Sequence, residues 1–252
     1  MSDLLLGIDV GTGSSKAVLA APDGTLVATA EREHGLSFPR PGWVEQDAEA
    51  VWWSDVVRLC RDVKPPPGSR IAAVCVSALG PCLVPCDRGL RPLRPGILYG
   101  IDTRAGDQIA ELEQRYGRDA IFTRGGSHLS SQALGAKLLW LVEEEPELWA
   151  RTAGWYTASS FLVARLTGEY VLDHHSASQC DPLYDLAGRR FDEEWAAEIA
   201  PGVPLPRLAW PGDVVGEVTD GAAAVTGLPA GIPVLAGTID AWAEAFSVGV
   251  HR

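Results

Sequence analysis

The run Leu4-Leu5-Leu6-Gly7-Ile8-Asp9-Val10-Gly11-Thr12-Gly13-Ser14-Ser15-Lys16-Ala17-Val18-Leu19 decides the fold. Two apolar stretches flank a turn of small residues, the pattern of a β-hairpin from a buried sheet. Asp9 closes the first strand, and the turn offers two glycines, a threonine and two serines. Glycine lets a ligand approach the backbone closely, and successive turn N–H groups with hydroxyls suit phosphate oxygens. A carboxylate beside an anion site makes sense where a divalent cation lies between them. The turn reads as a nucleotide-phosphate hairpin with Mg²⁺ on Asp9. The alternative is an ordinary tight hairpin with a solvated acid.

Working outward, Pro22-Asp23-Gly24 signals a turn and residues 26–30 a third antiparallel strand. A Pro/Gly connector, 38–43, leads to Asp47, which suits the N-cap of a helix over 48–61. Residues 71–77 are a continuous apolar strand, which suggests a sheet covered on both faces. A short strand is expected at 83–86, and helices at 105–116, 134–144, 161–166, 191–200 and 219–226. Residues 169–190 read as polar and irregular. A last strand, 233–237, is followed by a helix over 238–248. Strands alternate with helices after an opening meander, so the class is α/β.

The composition excludes several functions. The chain has 252 residues, 46% of them apolar, and no apolar run long enough to span a bilayer. Its first 20 residues lack the basic start and cleavage-like ending of a signal peptide. A net charge of −12 disfavours nucleic acid or an anionic membrane as partner. The five cysteines are odd in number, include no CxxC pair and lie mostly in apolar segments. Buried free thiols in a reducing compartment fit this better than disulfides or zinc, so a cytoplasmic location is expected.

Asp9-Val10-Gly11-Thr12-Gly13-Ser14-Ser15-Lys16 has a counterpart near the other end, Gly231-Ile232-Pro233-Val234-Leu235-Ala236-Gly237-Thr238-Ile239-Asp240, continuing to Gly249. Between them stand Pro41-Gly42-Trp43-Val44-Glu45-Gln46-Asp47, Asp102-Thr103-Arg104, and Leu205-Pro206 with Gly212 and Gly216. In this order the motifs resemble the FGGY carbohydrate kinases, xylulokinase-like members above all. The resemblance implies a ribonuclease-H-like domain of the actin/hexokinase type over residues 1–245, with a mixed five-stranded sheet. Residues 246–252 would begin a second, ATP-binding domain that is otherwise absent. An isolated half is expected to bind ATP poorly and to turn over little.

The resemblance also implies roles. Asp240 would accept the proton of the attacking sugar hydroxyl; the competing role is a helix cap. Asp9 would hold Mg²⁺ of Mg-ATP through water, and Gly11, Thr12, Gly13 and Ser14 would donate to phosphate. Lys16, one of only three lysines, belongs to the same motif or decorates a strand edge. The sugar would meet Leu79, Gly80 and Pro81, where the polar groups of xylulokinases and glycerol kinases are missing; this argues against glycerol. Asp102 would bind two adjacent hydroxyls, oriented by Arg104, or the two would form a surface ion pair. His174-His175 reads as a solvated loop rather than a metal site, and Trp43, Trp155 and Trp242 as packing rather than sugar-stacking residues. The expected reaction is phosphorylation of a pentulose or related polyol, with sugar and ATP as small-molecule partners and a homodimer compatible with the fold. The alternatives are a non-catalytic sugar-binding remnant and a different actin-like ATPase or ribonuclease-H-like nuclease; a nuclease would need clustered acids that strands 71–77 and 82–86 lack.

Overall fold

Alternation along β1 (Ser2–Val10) sets the architecture. Leu4, Leu6, Ile8 and Val10 are buried, while Leu5, Gly7 and Asp9 lie on the other face. The computed structural model describes residues 2–250. In it β1 pairs antiparallel with β2 (Ser14–Ala20), and β2 with β3 (Leu26–Glu33). On its other side β1 pairs in parallel with β4 (Ser69–Ala78). At the far edge β5 (Val214–Glu217) runs antiparallel to β6 (Pro233–Leu235), which joins β4 in parallel. A short β7 (Thr238–Ile239) extends the pairing with β4. The sheet therefore has seven strands where five were expected; the edge strand β5 and the short β7 are the additions.

One face of this sheet carries the larger core. Helices α1 (Ser54–Asp62) and α4 (Ala158–Thr167) pack there, with Val56, Leu59, Phe161 and Leu162 fully buried against the strands. The opposite face is only partly covered: Ala72, Ala73, Cys75 and Ser77 of β4 are of intermediate exposure, so the expectation of two covered faces is corrected. A second core lies in the helical segments between α1 and β5, built on α2 (Gly106–Tyr116) and α3 (Leu134–Glu144), with Leu112, Leu134, Leu138 and Leu141 at its centre.

Local chemistry shifts several boundaries. Asp47 caps as expected, accepting from the Glu49 and Ala50 amides, but residues 48–53 form a π turn before α1. Trp52 is buried there, its Nε1 donating to Gln46 Oε1 at 2.6 Å. Residues 171–173 and 174–177 are a strand and a short helix where an irregular stretch was expected, and Arg118–Gly125 is an added helix. Thr238 and Ile239 pair with β4, so the terminal helix α5 begins at Asp240 and ends at Ser247. It crosses the proposed boundary at 245; residues 251 and 252 of the proposed second domain lie outside the described residues. All five cysteines are free, and burial pushes the Cys60 and Cys82 thiols up to about 12, which keeps them unreactive. Among the described residues no helix is long and apolar enough to cross a membrane.

Candidate active site

Strands β1, β4 and β7 run parallel, so their carboxyl ends open on one edge of the sheet, where ligands of open α/β sheets bind. Asp9, Ser77 and Asp240 stand at those ends. The register aligns Glu31, Lys16, Asp9, Ser77 and Thr238 in one polar row across five strands. Asp9, Lys16, Ser77 and Thr238 of this row line a cleft of about 300 Å³, together with Gly237 and Ala243. A larger hollow of about 610 Å³ lies beside the 89–95 loop, but its Arg94 and Arg165 are already paired with Glu45, Glu145 and Glu49. The free chemistry is at the sheet edge.

Ser77 Oγ donates to Asp9 Oδ1 at 2.6 Å. Asp9 Oδ2 makes no hydrogen bond among the described residues and faces the cleft end of the turn, 3.9 Å from where a Gly11 Cβ would stand. Among the described residues no three His, Cys, Asp or Glu side chains converge as a metal cage. One open carboxylate oxygen fits Mg²⁺, which keeps most of its waters and takes substrate phosphates as ligands. In the turn, Thr12 Oγ1 is 2.9 Å from Tyr99 Oη. Lys16 is half-exposed and lies 3.8 Å from Glu31.

Asp240 is the first residue of α5, not its cap, and its Oδ1 accepts the next amide, Ala241, at 2.7 Å. Burial, with a smaller push from the charge of Asp9, raises its pKa to about 6 despite that bond. The turn before it is locked twice. Thr238 Oγ1 donates to the buried Asp173 at 2.9 Å. Gly237 has φ +67°, and a Cβ there would lie 1.9 Å from the Val76 carbonyl oxygen. Gly237→Ala is therefore expected to cost at least about 2 kcal/mol of stability, read as a fall in thermal midpoint, because both the backbone and the neighbouring strand must move.

The other sequence-nominated residues are placed differently. Asp102 is 1% exposed, accepts the Val44 amide at 2.7 Å, and pairs with Arg104 at 2.7 Å. The fully buried Arg104 guanidinium also reaches Glu45 at 2.9 Å and lies 4.0 Å over the Trp43 ring. Asp102 and Arg104 thus form a buried ion pair, not the surface pair of the competing reading. Leu79 and Pro81 are buried and Gly80 packs on Ile239, so this segment offers backbone rather than side chains. Trp43 packs edge-on against Trp140 and Trp155 is 1% exposed, whereas Trp242 is 45% exposed. His174 bonds Tyr184 at 2.6 Å, and both histidines lie against Trp210.

Sequence reasoning missed Asp173, His34, Asp55 and Gln46 as supports of the site. The available signals were an acid ending an apolar pair at 171–172 and an acid, Asp55, on the apolar side of α1.

Residues 4–247 match the FGGY family of carbohydrate kinases, N-terminal domain. The chain is 32% identical to the glycerol kinase of Nocardia farcinica over 231 residues, covering 88% of this chain and 46% of that protein. It is also 32% identical to the xylulose kinase of Streptomyces coelicolor, covering 98% of this chain and 50% of that protein. Among solved structures, the xylulose kinase of Rhodospirillum rubrum superposes with a TM-score of 0.92 at 33% identity, over 99% of this chain and 52% of that one. The chain thus spans about half the length of these relatives. Its mixed sheet is the ribonuclease-H-type sheet of the actin/hexokinase fold, and the chain belongs to the FGGY family of carbohydrate kinases, matching its N-terminal domain.

Proposed function

We propose that this chain is the sugar-binding half of a kinase that moves the γ-phosphate of Mg-ATP to a hydroxyl of a pentulose such as xylulose, or of a related polyol. The observation that carries this is Asp240, a carboxylate with its pKa raised to about 6, which follows β7 at the same strand-end edge of the sheet as Asp9 and near enough to feel its charge. A hydroxyl attacking phosphorus must lose its proton, and Asp240 would take it. Asp9 would hold Mg²⁺, which supplies charge neutralisation on the phosphates when bound. Gly11, Thr12, Gly13 and Ser14 would orient those phosphates, with Lys16 at the margin. The sugar would lie between Asp240 and the backbone of 79–81.

The pentulose assignment draws on the likeness to xylulose kinases. A non-catalytic binding module is not favoured, because hydroxyl recognition alone has no need of a carboxylate with raised proton affinity. The reading includes a cytoplasmic location and small-molecule partners only; a homodimer remains compatible with it.

The test is Mg-ATP-dependent, sugar-dependent ADP release on the longest polypeptide carrying residues 1–252, over a panel of ketoses, polyols and glycerol. With the active sugar, kcat/KM is expected to fall about tenfold per pH unit below about 6, as Asp240 takes up its proton, and to level off above. A profile flat from pH 5 to 8 removes Asp240 as the base.

A further inference from the structure

The turn between β1 and β2 is a hairpin left half closed. The Gly11 amide donates to the Ser14 carbonyl at 2.9 Å, but the Gly11 carbonyl accepts from His34 Nε2, at 2.9 Å, instead of from Ser14. The next carbonyl, Thr12, accepts from Gln46 Nε2 at 3.3 Å, and the one after, Gly13, from the His34 amide at 3.0 Å. Three successive carbonyls are thus held towards the protein. A trans peptide sets each C=O opposite the following N–H. The Thr12, Gly13 and Ser14 amides are thereby aimed away from those supports. A Cβ on Gly13 would meet nothing within 4 Å, so the turn is open around it.

The His34 ring is itself anchored. Its Nδ1 lies 2.8 Å from Asp55 Oδ2, which also accepts Ser15 Oγ at 2.9 Å, and the His34 and Asp55 side chains are 7% and 8% exposed. A carbonyl oxygen only accepts, so Nε2 carries a proton, and a second proton lies between Nδ1 and Asp55. Burying this pair without further purpose would be costly. Among the described residues, the only hydrogen bond of these two side chains beyond β2 and α1 goes to the Gly11 carbonyl.

We propose that His34, anchored by Asp55, is the positioning residue that aims the Thr12, Gly13 and Ser14 amides at phosphate. This rests on the reading of the turn as a phosphate site. The test is NMR of the backbone amides and imidazole nitrogens of the 252-residue chain, with Mg²⁺-pyrophosphate as probe. The expected spectrum shows a proton on the His34 Nε2. His34→Phe is expected to displace the Thr12, Gly13 and Ser14 amide signals and to weaken Mg²⁺-pyrophosphate about tenfold. His34→Gln, which keeps a side-chain N–H donor, should recover most of both. The proposal is overturned if folded His34→Phe leaves these amides and the affinity unchanged, or if the wild-type Nε2 is bare. If the probe moves no turn amide in the wild type, the phosphate reading fails; the ligand-free amide shifts of His34→Phe then decide the positioning role by themselves. If His34→Phe does not fold, His34→Gln and the wild-type imidazole spectrum decide.

Discussion

Asp240→Asn is expected to lower phosphoryl transfer by at least about 10³-fold while leaving sugar affinity nearly unchanged. The amide keeps the size and the Ala241 contact of the carboxylate but cannot accept the hydroxyl proton. The variant should also be slightly more stable than the wild type. Folding raises the pKa of Asp240 from 3.8 to about 6, so the charged form is disfavoured in the folded state. The folded state then loses stability as pH rises from about 4 to beyond 6. Discounted for its partial exposure, the gain in Asp240→Asn at pH 7 is about 1 kcal/mol, and it vanishes near pH 3. A loss of activity with a gain of stability separates a catalytic base from a structural cap, for which both would fall. Equal loss of turnover and sugar binding would move Asp240 to a structural role.

Arg104→Ala should produce the largest loss of stability. It leaves Asp102 without its ion pair and Glu45 with Arg94 alone, both carboxylates buried, and it strips the guanidinium from the Trp43 ring. Removing one member of a buried ionic cluster costs about 3–5 kcal/mol, a drop in thermal midpoint of roughly 10 °C for a chain this size. Arg104→Lys keeps the charge but not the planar fork, so it should recover only part. A thermal midpoint unchanged in Arg104→Ala, with a raised sugar KM, would return the cluster to the binding site.

The contrast between Asp240 and Asp102 shows what the sequence made legible. Asp9, the Gly-rich turn and Asp240 could be located because strand, turn and strand-to-helix signals are local, while the roles expected of them came from the family resemblance. The burial of Asp102 on the Val44 amide and Arg104 was not legible, because Val44 lies 58 residues away in sequence. Asp173 was passed over as part of an irregular stretch, since its meaning depends on Thr238, 65 residues away. His34 and Asp55 are equally silent: their contact spans 21 residues and joins a strand end to a helix. The π turn at 48–53 was hidden for a different reason, because its apolar spacing resembles that of an ordinary helix. Polar residues at element ends were thus visible, and the buried polar groups packed behind them were not.

The proposed activity is phosphate transfer to a sugar hydroxyl at the strand-end edge that bears Asp9, the Gly11–Ser14 turn and Asp240. Its most direct test is ADP release from Mg-ATP, measured with and without each sugar of the panel on the longest polypeptide carrying this chain, beside its Asp240→Asn variant. At least one ketose or polyol is expected to raise ADP release well above the sugar-free rate, with the increase gone in the variant. Measurable sugar binding with no sugar-dependent ADP release, or an increase that survives in Asp240→Asn, would contradict it.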